Sequence, residues 1–262
     1  MRAILDGHLT EVAQATIPAT DDGLLRGDGV FEVVRLYGGR PLAYEDHLAR
    51  LESSARNLRL PLDIWAVRAE MDALLAANDV PEAVLRVVAT RGGRRLGMIE
   101  ALPDLPPTLA LSSVEYAPTR VLDGVKSLSY GANMLARRLA AERGADDALL
   151  VTPHGRVLEG PTSTFICSFD GETLVTPPLS EHILESITRR RVLELCDVRE
   201  AAITRGDLAR VLEAFMASTV REIHPVRAID GIVLPDAPGP LARDAAARFR
   251  AHIEQELGVG AG

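Results

Sequence analysis

Leu122-Asp123-Gly124-Val125-Lys126-Ser127-Leu128-Ser129-Tyr130 carries the one lysine of the chain, and its reading decides the fold. The sequence has 262 residues and 29 basic side chains, of which 28 are arginine. A drift toward arginine accounts for surface cations, because either side chain serves as a solvated charge. It does not account for one surviving lysine. A guanidinium stays protonated, whereas a desolvated amine can lose its proton and form a Schiff base with a carbonyl. Lys126 is therefore a candidate covalent catalyst, and its neighbours must decide between that role and an accident.

A carbonyl cofactor held on a lysine points to pyridoxal 5'-phosphate, which makes three demands. The aldehyde needs an amine, the ring nitrogen an acid, and the phosphate needs N–H groups, hydroxyls and an arginine. Glu159 in Leu158-Glu159-Gly160-Pro161-Thr162-Ser163 lies in a turn where the backbone can approach a flat ring; taken alone it reads more readily as a solvated loop carboxylate. Ile187-Thr188 opens a helix, so amides and a hydroxyl point outward together, although Thr188 could be a simple cap. Ser218-Thr219 follows the strand Phe215-Met216-Ala217, and Arg50 lies one turn after His47. Tyr130, four residues after Lys126, can hydrogen-bond the ring oxygen or simply pack.

Further out, the pattern mixes strands and helices without regular alternation, which favours α+β over a doubly wound sheet. Strands are predicted at 3–5, 30–37, 84–91, 108–114, 148–152, 157–158, 164–169, 173–175, 198–203 and 214–217, with a short one ending near Lys126. Gly38-Gly39 and Asp170-Gly171 read as hairpin turns. Helices are predicted at 46–58, from the cap Asp63 to 77, at 132–143, 188–195 and 241–256, with a short one at 207–212. Pro118 and Gly124 mark a linker over 117–124 between units 1–116 and 125–262.

These segments resemble the class IV pyridoxal-phosphate aminotransferases, the family of branched-chain and D-amino-acid aminotransferases and aminodeoxychorismate lyase. The resemblance spans nearly the whole chain. It rests on Arg26-Gly27-Asp28-Gly29-Val30-Phe31-Glu32, His47-Leu48-Ala49-Arg50-Leu51, Lys126 to Tyr130, Glu159 to Ser163, Thr176-Pro177-Pro178, Ser186-Ile187-Thr188-Arg189, and Ala217-Ser218-Thr219 followed by Glu222-Ile223-His224-Pro225-Val226. It implies a small N-terminal α+β domain, a larger C-terminal domain with a barrel-like sheet, and at least a homodimer. It implies that Lys126 carries the Schiff base, Glu159 faces the ring nitrogen and Tyr130 the ring hydroxyl. Arg50, Ile187, Thr188, Ser218 and Thr219 would surround the phosphate.

The implied reaction moves an amino group between an α-amino acid and a 2-keto acid. The alternative is aminodeoxychorismate lyase, which releases 4-aminobenzoate and pyruvate with the same lysine and cofactor. Arg26, Arg86 and Arg91 compete for the substrate carboxylate beside the pocket-lining Phe31, and the choice stays open. Two departures stand out: the stretch from Arg91 to Lys126 is short, and Ser163-Thr164-Phe165 stands where relatives often carry asparagine.

Other classes find little support. With 37 acidic residues and net charge −8, no basic stretch suits nucleic acid. The six histidines lack ligand spacing, so no metal is expected. Two cysteines are too few for a disulfide framework. Met1 to Thr10 has no long apolar run, so no signal peptide is expected, nor any membrane segment, and a cytoplasmic location follows.

Overall fold

The computed structural model describes residues 2–258; Met1 and residues 259–262, the outer ends of the two expected units, lie outside it. It is α+β, built on two sheets, as expected. The first has six strands in the order His8–Glu11, Arg2–Leu5, Arg95–Glu100, Glu82–Thr90, Gly29–Tyr37, Arg40–Pro41, all antiparallel. Side chains on a strand alternate between faces. Val30, Val34 and Leu36, with Leu85, Val87 and Ala89 of the neighbouring strand, therefore pack in one core under helices Tyr44–Asn57 and Ile64–Ala76. Asp63 caps the second of these helices by accepting from the Trp65 and Ala66 amides. The opposite face presents Phe31, Val33, Arg86 and Val88 to a cavity. The register sets Phe31 beside Val88 and Val33 beside Arg86.

The second sheet has eight strands. Val198–Glu200, Leu174–Thr176, Thr164–Ser168, Glu213–Ser218, Glu222–Ile229, Leu109–Glu115 and Asp147–Val151 run in that order, with Ile232–Val233 paired to Glu222–Ile229. Three neighbour pairs are parallel. Helices Ile187–Leu195 and Pro240–Leu257 cover one face through Ile166, Phe215, Val192 and Phe249. Helix Gly131–Glu142 packs on Ala148 and Leu150 through Ala136 and Ala140. No helix among the described residues is long and apolar enough to cross a membrane.

Several expectations change. Leu109–Glu115, assigned to the first unit, pairs within the second sheet, so the chain passes between sheets over 101–108 rather than after 116. The segment ending at Lys126 is not a strand. Only an isolated Val30–Ser127 bridge ties it to the first sheet, with Phe31 N donating to Lys126 O at 3.1 Å and Leu128 N to Gly29 O at 2.9 Å. The strand expected at Val157–Leu158 is likewise only an isolated bridge, between Val157 and Val151. Strands Arg95–Glu100 and Glu222–Ile229 went unpredicted, because arginine, Gly97 and Pro225 interrupt their apolar alternation.

Candidate active site

The cavity encloses about 900 Å³ between the two sheets, a volume suited to a cofactor with a small substrate. Lys126 reaches it from the irregular segment between the sheets, and its own amide donates to Ser54 Oγ at 3.1 Å. Its Nζ lies 4.4 Å from the centre of the Phe31 ring and 5.9 Å from that of Tyr130. The two rings meet edge to face at 5.2 Å. Burial among these rings pushes the Lys126 amine down to about 8; the Arg50 and Arg86 charges push the same way, while Glu32 and Glu159 oppose.

Glu159 lines the same cavity, and one carboxylate oxygen accepts from Leu184 N at 3.1 Å. Burial pushes this carboxyl up to about 7 despite that bond and the Lys126 charge. A buried acid poised near neutrality suits a proton shared with a ring nitrogen. Tyr130 donates its hydroxyl to Pro161 O at 2.9 Å, beside Asn133, whose amide donates to the same oxygen at 2.9 Å. Ser163 and Thr164 also line the cavity, and their hydroxyl oxygens are buried with no partner among the described residues.

An anion cradle adjoins. Helix Ile187–Leu195 is capped by Ser186, whose Oγ accepts from Arg189 N at 3.2 Å. That leaves the Ile187 and Thr188 amides at the positive end of the helix. These two residues line a small cavity that shares Thr219 with the main one, while Ser218, Thr219 and Ser186 line the main one. Ser218 Oγ accepts from Arg221 N at 3.2 Å, which frees its own proton for a ligand.

Arg50 completes the cradle and is itself held. Its Nε and Nη2 donate to the two oxygens of Glu32 at 2.6 and 2.8 Å, and its Nη1 to Glu185 O at 3.1 Å. Glu32 also accepts from His47 Nδ1 at 2.8 Å. Burial alone would raise the Glu32 carboxyl, yet the Arg50 charge and both sets of hydrogen bonds win and hold it at about 2. An ionised carboxylate only accepts, so the His47 proton sits on Nδ1. Glu32 and His47 were not singled out as site residues from the sequence. The available signal was an acid on the core-facing side of a strand of Val30, Val34 and Leu36.

The three competing arginines separate. Arg86 lines the cavity, its Cζ 6.0 Å from the Phe31 ring centre, and gives Nε and Nη2 to Glu100 at 2.8 and 2.9 Å. Arg26 is exposed and paired with Asp22, one helical turn away and outside the cavity. Arg91 also lies outside it: past the strand end, Nε reaches Asp28 at 3.0 Å and Nη2 reaches Leu58 O at 2.9 Å. The Ser163-Thr164-Phe165 departure places Ser163 and Thr164 in the cavity wall, with Phe165 fully buried.

The amine, the proton-poised acid, the helix N-terminus with its hydroxyls and the anchored arginine meet all three demands of pyridoxal 5'-phosphate. Among the described residues no group of three or more His, Cys, Asp or Glu could hold a metal ion.

Comparison with known proteins agrees with this chemistry. Residues 29–229 match the family described as Amino-transferase class IV. A putative branched-chain-amino-acid aminotransferase of Methanocaldococcus jannaschii is 35% identical, over 89% of this chain and 90% of the relative. A bifunctional aminodeoxychorismate lyase / D-amino acid transaminase of Mycobacterium tuberculosis is 32% identical, over 91% and 94%. Among solved structures, a hypothetical aminotransferase from Mycobacterium tuberculosis, described as bound to alpha-ketoglutarate and PMP, superposes with a TM-score of 0.87. It is 28% identical, over 98% of this chain and 100% of that one.

Proposed function

The chain belongs to the amino-transferase class IV family, and from that premise we propose that it moves an amino group between an α-amino acid and a 2-keto acid with pyridoxal 5'-phosphate held on Lys126. The carrying observation is one cavity that holds a lysine amine pushed down to about 8 and a carboxyl pushed up to about 7. Burial thus brings both groups toward neutrality, where each can hold and give up a proton in one site.

When bound, the cofactor supplies a carbonyl that exchanges the amino group and a ring that accepts electron density. The chain's own residues do the rest. Lys126 Nζ holds the cofactor, takes the α-proton of the amino acid and returns it. Glu159 holds a proton toward the ring nitrogen, and the Tyr130 hydroxyl, which donates to Pro161 O in this structure, would turn its own proton toward the ring oxygen. The Ile187 and Thr188 amides, the Ser218 and Thr219 hydroxyls and Arg50 bind the phosphate. Phe31 and Tyr130 keep water from the amine. Of the three arginines first considered, Arg86 is the one positioned for substrate.

The working unit in this reading is a homodimer in the cytoplasm. Apolar Leu24, Leu25 and Val121, 65%, 59% and 86% exposed, are surface that a second copy would cover. Sedimentation that returns a monomer at working concentration would remove this part.

A donor screen with both enantiomers of several amino acids, read by bleaching of the bound cofactor, tests the activity. Bleaching by an amino acid alone, with recovery on adding a 2-keto acid, is expected. The Mycobacterium tuberculosis relative that carries both names favours one second reading, a lyase activity in the same site. Pyruvate release from aminodeoxychorismate without any bleaching by amino acids would put the lyase first.

A further inference from the structure

Four arginines line the cavity: Arg50, Arg86, Arg137 and Arg221. Arg50 is engaged by Glu32, and Arg86 by Glu100. Arg137 is 42% exposed and reaches Asp147 only at 3.4 Å. Arg221 differs from all three. Its side chain is 7% exposed, Nη2 donates to Asp147 Oδ2 at 2.6 Å, and Nη1 is buried without a partner. A buried charged donor without a protein acceptor is costly, and Arg221 lines the cavity, from which a ligand can supply one.

The surroundings hold this guanidinium in place. Asp147 is fully buried, and its Oδ1 accepts from Ala148 N at 2.9 Å. One carboxylate facing two guanidiniums, Arg221 and Arg137, leaves excess positive charge on the wall. Both neighbours of Arg221 are pinned by side chains from other elements. Arg35 Nη1 donates to Val220 O at 3.1 Å and pairs with Glu222 at 2.7 Å. Tyr37 donates to Glu222 at 2.9 Å, and Arg250 pairs with it at 2.9 Å. Glu222 sits at φ +53°, a left-handed conformation that costs free energy for glutamate and persists because these contacts fix it. The turn that presents the Ser218 and Thr219 hydroxyls thus also presents a rigid, half-satisfied guanidinium.

We infer that Arg221 binds a carboxylate of the amino acid and keto acid, with Asp147 as the positioning residue that aims it. The inference rests on the transaminase reading and adds the carboxylate anchor that Arg26 and Arg91 cannot provide. A fork with one arm tied to Asp147 and the other free matches one oxygen of a carboxylate.

The test uses cofactor-loaded wild type, Arg221→Gln and Arg221→Lys. Bleaching is titrated with alanine, with glutamate, and with 2-aminobutane, which has no carboxylate. In Arg221→Gln the half-saturating concentration of alanine, glutamate or both rises about tenfold or more, while 2-aminobutane and the cofactor absorbance are unchanged. Arg221→Lys recovers part of the loss, and it is the variant read if Arg221→Gln does not fold. Loss with both acids assigns Arg221 to the α-carboxylate; loss with glutamate alone assigns it to the side-chain carboxylate. Unchanged half-saturation for both acids in a variant that retains cofactor overturns the inference. A wild type that no donor bleaches overturns the transaminase reading instead, so the two failures are distinct.

Discussion

Arg50 Nε donates to Glu32 Oε1 at 2.6 Å, so the cation at the anion cradle is itself fixed by a carboxylate from the adjacent strand. The side chain of Glu32 is 2% exposed, and His47, one turn before Arg50, supplies its third hydrogen bond. Alternation on the strand aims Glu32 at the helix and Phe31 at the cavity. One strand therefore builds the pocket wall on one face and braces Arg50 on the other.

Glu32→Gln is expected to destabilise the protein by about 3–5 kcal/mol, because it leaves a buried guanidinium uncompensated. It should also weaken cofactor retention on dialysis. The acid limb of the stability curve checks the cause. Glu32 is held at about 2 against an ordinary 4.5, so its contribution is fully present above 4.5 and lost as pH falls toward 2. Denaturant titrations should show a steeper acid loss in wild type than in Glu32→Gln; parallel limbs would contradict the account.

The Lys126 amine at about 8 predicts the pH dependence of cofactor capture. Only the neutral amine attacks an aldehyde. Capture by protein stripped of cofactor, followed as visible absorbance, should accelerate as pH rises, with a midpoint near 8 rather than near 10.5. A midpoint above 10 would mean that the amine is solvated.

Glu159→Gln keeps the shape of the turn but cannot hold the ring-nitrogen proton as an acid does. Cofactor should still bind covalently, while amino transfer falls by about 100-fold or more. Near-wild-type turnover would remove Glu159 from the chemistry.

Arg91→Ala is expected to behave as a stability variant. It removes bonds to Asp28, Leu58 O and Arg59 O outside the cavity, which should cost about 1–3 kcal/mol. The half-saturating donor concentration should not move, and a rise of tenfold would return Arg91 to the substrate site.

Much of the site was legible because its chemistry is local in sequence. A lone lysine among arginines, an acid before Gly160-Pro161 and a Ser186-Ile187-Thr188 helix start each announce a type of group. What pairs with what was less legible. Strand alternation already set Arg86 and Arg91, five positions apart, on opposite faces, but not which of them faced the cavity: Arg86 lines it, while Arg91, past the strand end at Thr90, turns to Asp28. Asp147 and Arg221 lie 74 residues apart, so no spacing could have joined them. Glu222–Ile229 was invisible because His224, Pro225 and Arg227 break its alternation, although the strand is paired on both sides. Leu109–Glu115 was read as a strand, but its sheet depends on parallel partners, Asp147–Val151 and Glu222–Ile229, that follow it in the chain.

The most direct measurement is borohydride reduction of the cofactor-loaded protein followed by peptide mass mapping. The chain has no ε-amine other than that of Lys126, so the reduced cofactor should appear on the peptide that contains it, and nowhere in Lys126→Arg. Full transaminase activity in Lys126→Arg, or an unmodified Lys126 peptide from active wild-type protein, would contradict the account.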